Sequence, residues 1–311
     1  MSCKFKILWF DDESDWVDSK RHKIANILEN YGLEMEISLF DGSTIWTSDK
    51  PWITNDYDLI FMDYKLTDNK TGLEIIQDIR SSKILTDILF YSSDYVGMIK
   101  KIVSVTPPLD GIYYEDRVDE KFMYKLEMLI SKIIKRSETV ENIRGIVLDS
   151  SAEFEKRIND LLLNIIDKDD PTIFSKIRYS VNEKISNKKI DYTNQCDSAC
   201  CKLDLEICSR DKLKKVISNN AVFSHKNRLL VIDSIIPLIS QGANTAPVNF
   251  YNRYIEEFGE YRNAFGHIKH DTKSIRIRDK DIIIDEKLFS RMRRTINRFD
   301  SEIAELEKMI L

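Results

Sequence analysis

Short apolar runs that alternate with amphipathic stretches constrain the fold of the first 125 residues. Five runs are rich in aliphatic and aromatic residues: Lys6–Phe10, Met35–Phe40, Asp58–Met62, Ile88–Tyr91 and Gly111–Tyr114. Several of the stretches between them, such as residues 15–31 and Gly72–Arg80, carry apolar residues at helical spacing. No hairpin signal joins neighbouring runs, and such alternation is typical of parallel strands with crossover helices. We therefore predict an α/β doubly wound domain with a parallel five-stranded sheet.

The strand signal fades after about Asp119, and the rest of the chain reads as an all-α helical bundle. Helical periodicity marks residues 121–135, 138–166, 173–187, 201–217, 226–240, 248–265 and 286–310. One alternating segment, Lys273–Ile284, is typical of a short β-hairpin. We predict a first domain over residues 1–125, a connecting helix over 126–150 and a helical domain over 151–311.

Charge divides the chain in the same way. The first 150 residues contain 19 Lys and Arg against 27 Asp and Glu, whereas the remainder contains 28 against 25. No apolar run approaches the ~18–20 residues that cross a bilayer, and the N-terminus lacks the pattern of a signal peptide. The five cysteines are sparse, and the spacing of Cys196, Cys200, Cys201 and Cys208 is unlike that of paired zinc ligands. We predict a cytoplasmic protein with reduced thiols that makes no membrane contact.

Acidic residues follow two of the predicted strands. Asp11 and Asp12 come after the first strand, and Asp63 follows the third. Parallel strands end at one edge of a sheet, so these carboxylates should converge there. Their mutual repulsion favours a hard divalent cation such as Mg2+, with oxygen ligands. One carboxylate could then accept a phosphoryl group, with Ser92 or Ser93 as a hydrogen-bond donor beside it.

These motifs resemble the receiver domain of two-component response regulators. The segments ILWFDDE, DLIFMDYKLTDNKTGLEIIQDIR and FYSSD match its acid pair, its phosphoacceptor strand and its switch strand, in order. The resemblance covers residues 4–125. It implies that Asp63 is the phosphoacceptor, that Asp11 and Asp12 hold the metal together with it, that Ser92 is the switch hydroxyl, and that Tyr113 or Tyr114 is the switch aromatic residue. It also implies a histidine kinase or sensor protein as a partner in a phosphorelay.

The segment after the fifth strand departs from the receiver pattern. Receivers place a Lys there, usually followed by Pro, but this chain runs Gly111-Ile112-Tyr113-Tyr114-Glu115-Asp116-Arg117. Arg117 is the available substitute, although its planar fork differs from the point charge of a Lys. The alternative is a degenerate receiver that serves as an interaction scaffold.

The sharpest motif of the helical half is Arg262-Asn263-Ala264-Phe265-Gly266-His267. Arg stabilises charge on a phosphorane and His moves protons near neutral pH, while RNA carries its own 2′-hydroxyl nucleophile. Five residues of α-helix rotate by about 500°, so Arg262 and His267 lie about 140° apart, whereas Asn263 and His267 share a face. Arg262 reaches the same cleft through its length, through a distorted turn near Gly266, or in a symmetric dimer.

This motif resembles the R-x4-6-H signature of the HEPN superfamily. The resemblance rests on this stretch and on the all-helical context of residues 140–311. It implies a metal-independent endoribonuclease, often a toxin or antiviral defence protein, in which Arg262 and His267 are catalytic, Asn263 orients them, and a homodimer forms the site. The alternative is a packing or capping role, with Arg262 paired to Glu256, Glu257 or Asp271. His22 and His225 show no partner in the sequence, and His270 has the wrong spacing.

A basic stretch surrounds the motif, because residues 261–298 contain eleven Lys and Arg against five acids. Such a strip attracts a phosphate backbone, and the candidate RNA-binding residues are Arg276, Arg278, Arg291 and Arg294. A solvated helix face is the alternative for the last two. The hypothesis from sequence is thus a signal-controlled RNA endonuclease that needs no metal for cleavage, and its rival is a non-catalytic signalling adaptor.

Overall fold

The protein is described from a computed structural model. The structure describes residues 3–40, 56–66, 71–105, 109–168, 170–186, 209–240, 246–269 and 271–310. The four clustered cysteines, the start of the helix predicted over 201–217, and His270 lie outside these residues. The chain divides into two compact units, the first comprising Ser2–Thr139 with Asp285–Arg293 and the second Val140–Ile284 with Arg294–Leu311.

The first unit is an α/β domain. Its elements are β1 (Lys4–Phe10), α1 (Ser14–Asn30), β2 (Glu34–Phe40), β3 (Leu59–Asp63), α2 (Gly72–Ser81), β4 (Ile88–Ser92), α3 (Tyr95–Val103), β5 (Ile112–Asp116) and α4 (Asp119–Ser137). The strands form one parallel sheet in the order β2-β1-β3-β4-β5. This is a doubly wound order, and it confirms the predicted fold class.

Two apolar cores cover the faces of this sheet. Alternate strand residues point to opposite faces, so Trp9 and Phe61 join one core while Phe10 and Met62 join the other. Helices α1 and α4 supply the first core, for example through Phe122, and α2 and α3 supply the second. Burial on both faces explains why the inner strands β1, β3 and β4 are near-continuous apolar runs, in which each fully buried large side chain contributes about 1.5–3 kcal/mol.

Two helices meet within residues 126–150, where the sequence predicted one connecting helix. Helix α4 ends at Ser137, and α5 (Val140–Asp167) begins after Glu138 and Thr139. Glu138 leaves helical geometry, with ψ of 70°, and its carboxylate accepts a hydrogen bond from Arg293 at 3.0 Å. The two side chains are only 4% and 6% exposed.

A segment remote in sequence completes the first unit. Residues Asp285–Arg293 include the first two turns of α11 (Glu286–Ile310). There Ser290 Oγ donates a hydrogen bond to the carbonyl of Asn30 at 2.9 Å, and Arg293 donates to that of Tyr31 at 3.2 Å. The division at residue 139 therefore differs from the predicted one at 125, and each unit is built from two stretches of chain.

The second unit is mainly helical. Besides α5 and the remainder of α11 it contains α6 (Pro171–Ser186), α7 (Arg210–Ser218), α8 (His225–Ile239), α9 (Phe250–Tyr254), a π-helix (Ile255–Gly259), α10 (Glu260–Gly266), β6 (Ser274–Ile277) and β7 (Lys280–Ile283). Strands β6 and β7 pair antiparallel, as the alternation over Lys273–Ile284 predicted. Its core includes contacting rings of Phe154, Tyr254, Phe258 and Phe299. Within the described residues, helices long and apolar enough to cross a bilayer are absent.

Candidate functional site

Three carboxylates meet at the carboxyl edge of the sheet. Asp11 and Asp12 follow β1, and Asp63 ends β3 beside it, so parallel pairing brings them together. One oxygen from each lies within 4.8 Å of the other two. Asp11 and Asp63 are 1% and 3% exposed, whereas Asp12 faces solvent. The structure thus brings together the acids predicted from sequence.

Arg117 lies in the same pocket. Its Nη2 is 2.8 Å from Asp11 Oδ2 and 3.1 Å from Asp63 Oδ2, and its Nη1 is 2.6 Å from Glu13 Oε1. The guanidinium also covers the ring of Trp16, with 4.7 Å between its Cζ and the ring centroid. The position where sequence offered a substitute for the receiver Lys is therefore occupied by an Arg that contacts both buried acids.

Three groups donate hydrogen bonds to the carboxylate of Asp11. Tyr91 donates its hydroxyl to Asp11 Oδ2 at 2.6 Å, and Trp9 Nε1 donates to the Tyr91 hydroxyl at 2.7 Å. The backbone N–H of Glu13 and the guanidinium of Arg117 donate to Oδ1. Burial raises the pKa of Asp11, and the hydrogen bond from Tyr91 and the charge of Arg117 oppose that rise.

Asp63 is the most perturbed acid of the pocket. Burial is the largest cause that raises its pKa to about 8; the charge of Arg117 opposes the rise, and the charges of Asp11 and Asp12 add to it. Asp63 therefore needs a positive charge in addition to Arg117 to ionise fully near neutral pH. Gly72 allows the backbone around it to pack closely, because a Cβ at that position would lie 2.1 Å from the carbonyl oxygen of Asp63.

The residues predicted to act as the switch lie on different faces of the sheet. Ser92 ends β4, is 1% exposed, and accepts a hydrogen bond from the N–H of Asp94 at 3.0 Å. Tyr113 packs into the core shared by α1 and α4, where its hydroxyl contacts Lys132 Nζ. Tyr114 packs against Phe90 in the opposite core, the side to which Ser92 points by alternation. Tyr114 rather than Tyr113 therefore shares a face with Ser92.

The acids fit a hard divalent cation. Octahedral Mg2+ binds oxygens at about 2.0–2.1 Å, so ligand oxygens lie up to about 4.2 Å apart, close to the spacing found here. Asp12, which is exposed, offers a carboxylate from the solvent side. Arg117 contacts the oxygens of Asp11 and Asp63, so a cation would share these ligands with the guanidinium.

The second unit places the Arg-Asn-x3-His motif on the short helix α10. Arg262 Nη1 donates to Asn263 Oδ1 at 3.2 Å, and Arg262 Nη2 lies 3.8 Å from Glu155 Oε1. His267 is exposed and caps the C-terminus of α10. The part of the chain that the structure describes gives His267 no side-chain hydrogen bond or ion pair, whereas Arg262 points towards Glu155.

The four Arg residues predicted to bind RNA do not form one set. Arg276 is exposed on β6, but Arg278 is paired with Glu256 at 3.1 Å and Glu260 at 2.9 Å. Arg291 and Arg294 are both exposed on α11, yet Arg291 belongs to the first unit and Arg294 to the second. Of the other basic residues in that stretch, Arg293 is buried against Glu138.

Several site residues were missed from sequence. From sequence, Tyr91 and Trp16 look like core positions, and only the folded structure shows that Tyr91 contacts Asp11 and that Trp16 contacts Arg117. In the second unit, His225 Nε2 lies 3.3 Å from the Tyr254 hydroxyl. These two residues are 29 positions apart on different helices, so no local sequence pattern indicates the contact.

No protein-family model matches the chain, and no curated protein matches it. Solved structures similar to it include the receiver domain of Francisella response regulator 1452 (18% identity, 43% of this chain and 98% of that one, TM-score 0.29). The response regulator DrrB from Thermotoga maritima, an OmpR/PhoB homologue, is also similar (17% identity, 43% of this chain and 54% of that one, TM-score 0.29). So is the response regulator TrrA from Thermotoga maritima in complex with Mg2+ and BeF (22% identity, 40% of this chain and 98% of that one, TM-score 0.29).

Strand order and the acid pocket together define the first unit. The order β2-β1-β3-β4-β5 is that of the flavodoxin-like group, to which receivers of the CheY type belong. The first unit therefore has the doubly wound fold that receivers share. Its acid cluster lies at the carboxyl edge of the strands, where ligands bind in open α/β sheets. The helical second unit carries no such assignment.

Proposed function

We propose that the first unit is the signal-receiving domain of a response-regulator-like protein, phosphorylated on Asp63 by a histidine kinase or sensor partner. The observation that carries this is the meeting of Asp11, Asp12 and Asp63 within 4.8 Å at the ligand-binding edge of the sheet. Bound Mg2+ would neutralise charge between these acids and the incoming phosphoryl group.

Each pocket residue has a role in this proposal. An ionised oxygen of Asp63 attacks phosphorus and forms an acyl phosphate, while the bond to the donor's nitrogen or oxygen breaks and the donor departs. Asp11 and Asp12 hold the metal. Arg117 supplies a fixed positive charge 3.1 Å from Asp63, and the Ser92 hydroxyl is the candidate donor to the new phosphoryl oxygen.

Labelling with radioactive acetyl phosphate and Mg2+ tests the receiver proposal. The wild type should incorporate a hydroxylamine-sensitive label, and Asp63→Asn should lose it. Asp15→Asn, a variant of an exposed acid on α1, should label like the wild type. Label that survives Asp63→Asn, or a wild type that takes up none from acetyl phosphate or a cognate kinase, contradicts the proposal.

A second proposal concerns the second unit, as an RNA endonuclease under the control of the first. It is supported by the hydrogen bond between Arg262 and Asn263 and by the exposed imidazole of His267 at the end of the same helix. His267 would take the proton of the 2′-hydroxyl and return one to the leaving 5′-oxygen, and Arg262 would stabilise the phosphorane, leaving a 2′,3′-cyclic phosphate. The family resemblance adds a homodimer and a role in phage defence or stress, and the sparse cysteines favour a cytoplasmic location.

RNA cleavage in EDTA separates this from the adaptor alternative. The wild type, Arg262→Ala and His267→Ala are incubated with labelled RNA, before and after treatment with acetyl phosphate. Cleavage by the wild type with loss in both variants supports the nuclease. Equal cleavage by all three indicates a contaminant, and no cleavage in any sample leaves the non-catalytic adaptor as the better account.

A further inference from the structure

A polar cluster surrounds Tyr254 inside the second unit. Its members come from three helical segments: Ser151 and Glu155 from α5, His225 from the start of α8, and Tyr254 and Arg262 from the segment that holds the π-helix. The Tyr254 hydroxyl, on a residue that is 2% exposed, contacts His225 Nε2 at 3.3 Å and also has Ser151 as a hydrogen-bond partner. Glu155 lies 3.5 Å from Ser151 Oγ and 3.8 Å from Arg262 Nη2.

The π-helix accounts for Arg262 joining this cluster. In an unbroken α-helix the eight steps from Tyr254 to Arg262 rotate by about 800°, which places the two side chains about 80° apart. A π-turn absorbs one extra residue, so the steps count as about seven, or 700°, and the side chains align to within about 20°. Residues Ile255–Gly259 form this turn. The distortion therefore aims Arg262 at the Tyr254 side of the helix.

Two nitrogen atoms in the cluster have no hydrogen-bond partner among the described residues. They are Nδ1 of His225 and Nε of Arg262, and both atoms are buried. Orphaned buried donors cost free energy unless a ligand or water satisfies them. The Arg262 side chain is nevertheless 43% exposed, so the cluster reaches solvent through its guanidinium.

His225 is neutral in this setting. Burial and, to a smaller extent, the charges of Arg228 and Arg262 lower its pKa to about 4. The buried Tyr254 hydroxyl keeps its proton, since burial raises its pKa. When that hydroxyl donates to Nε2, the single imidazole proton sits on Nδ1, which then is a donor without an acceptor.

We propose that Arg262, His225 and Tyr254 form a binding site for a phosphate group, carried by an RNA backbone or by a free nucleotide. Phosphate oxygens accept from planar guanidinium donors and neutral N–H groups, the groups that this cluster leaves unpaired. Glu155, at 3.8 Å, orients Arg262 without a close ion pair. The inference shares Arg262 with the proposed nuclease, but it concerns binding and assigns His225 a role in it.

Fluorescence anisotropy on the full-length chain tests the site, with a labelled oligoribonucleotide and labelled ATP as separate probes in EDTA. Arg262→Gln should weaken binding by about 10- to 100-fold, the effect of losing a hydrogen bond to a charged group. His225→Gln, which retains a polar group near Nε2 but has none at Nδ1, should weaken it by about tenfold. Tyr254→Phe keeps the ring packing and should also bind more weakly. Lys226→Gln, which removes an exposed charge next to His225, is the matched control and should lose no more than about threefold.

Nitrogen NMR spectra of the imidazole rings supply a second readout, which would not change if His225 only packed against its neighbours. The chain has four histidines, and His225→Gln identifies the signal of residue 225. Addition of the probe that binds should shift the Nδ1 resonance of His225, and circular dichroism checks that each variant is folded. A shift with the oligoribonucleotide alone assigns the site to RNA, and a shift with ATP assigns it to a nucleotide.

The outcomes separate this inference from the nuclease proposal. Binding that needs His225, without cleavage, supports the site and removes the nuclease. The site is overturned if folded His225→Gln binds or cleaves like the wild type and if the Nδ1 signal of His225 in the wild type does not move when the probe is added. That result leaves the nuclease proposal intact. A wild type that binds neither probe also overturns the site.

Discussion

Arg117 Nη2 lies 3.1 Å from Asp63 Oδ2, in a pocket where both side chains are almost fully buried. The same nitrogen is 2.8 Å from Asp11, so one guanidinium partly neutralises two acids. Without Arg117 and without a bound metal, this pocket would hold the buried acids Asp11 and Asp63 close together with no positive charge between them. Here the chain itself supplies a permanent positive charge at that place, because Arg does not lose its proton at physiological pH.

Replacing Arg117 should make the first unit depend on Mg2+. Arg117→Ala leaves two buried carboxylates without their cation, and we expect a loss of about 3 kcal/mol in the free energy of unfolding without metal. Mg2+ should then raise the melting temperature of the variant more than that of the wild type. Arg136→Ala, at an exposed residue 3.9 Å from Asp87, should change stability by less than about 0.5 kcal/mol. Equal Mg2+ responses in wild type and Arg117→Ala would show that the guanidinium does not share the metal's ligands.

The raised pKa of Asp63 predicts a stability that falls as pH rises. The folded state holds this proton up to pH about 8, whereas the unfolded chain releases it near 3.8. The folded state therefore binds more protons between these values, and the stabilising contribution is complete below pH 3.8 and lost as pH passes 8. Urea unfolding from about pH 5 to about pH 8.5 without metal should show a smaller decline in Asp63→Asn. A decline of the same slope in both proteins would place the titrating group elsewhere.

Two glycines should respond in opposite ways to alanine. Gly72→Ala places a Cβ 2.1 Å from the Asp63 carbonyl and 2.7 Å from Met62 Cγ, so the strand end must move, at a cost of about 1–3 kcal/mol. Gly145 lies within α5, where a Cβ would point into open space, so Gly145→Ala should gain up to about 1 kcal/mol. Chemical denaturation measures both. Phosphate labelling of Gly72→Ala should fall as well, and normal labelling would mean that the pocket tolerates the shift.

The buried pair of Glu138 and Arg293 should be strongly coupled. Removing either partner leaves an unpaired charge in a site that is less than a tenth exposed, and we expect Glu138→Ala or Arg293→Ala to cost about 3–5 kcal/mol. Lys135 and Glu286, 3.6 Å apart and 58% and 60% exposed, are the matched surface pair, for which we expect less than about 1 kcal/mol. A double-mutant cycle on each pair compares them, and equal coupling energies would refute the distinction.

The fold of the first unit was predictable because its inner strands, β1, β3 and β4, are buried on both faces. Continuous apolar runs that end in acids indicate both the parallel sheet and the edge where Asp11 and Asp63 meet. The sequence predicted only that Arg117 takes the position of the receiver Lys. Its contact with both acids depends on side-chain reach and on the ring of Trp16, which a linear pattern does not show.

Other features have no local signal. Glu138 and Arg293 are 155 residues apart, so the division of the chain into interleaved units could not be anticipated from composition. The π-turn that rotates Arg262 away from its α-helical direction also has no recognisable sequence pattern. His225 looked like an isolated histidine because its partner Tyr254 lies on another helix.

The return of Asp285–Arg293 to the first unit also has a consequence for how the protein is made. This segment contacts Asn30, Tyr31 and Glu138, and its last residue, Arg293, is synthesised 154 residues after Thr139. At about 5–20 residues per second, a ribosome needs roughly 8 to 30 s to deliver it. Throughout that interval the nascent first unit lacks its last segment, and residues 140–284 leave the ribosome before the unit is complete.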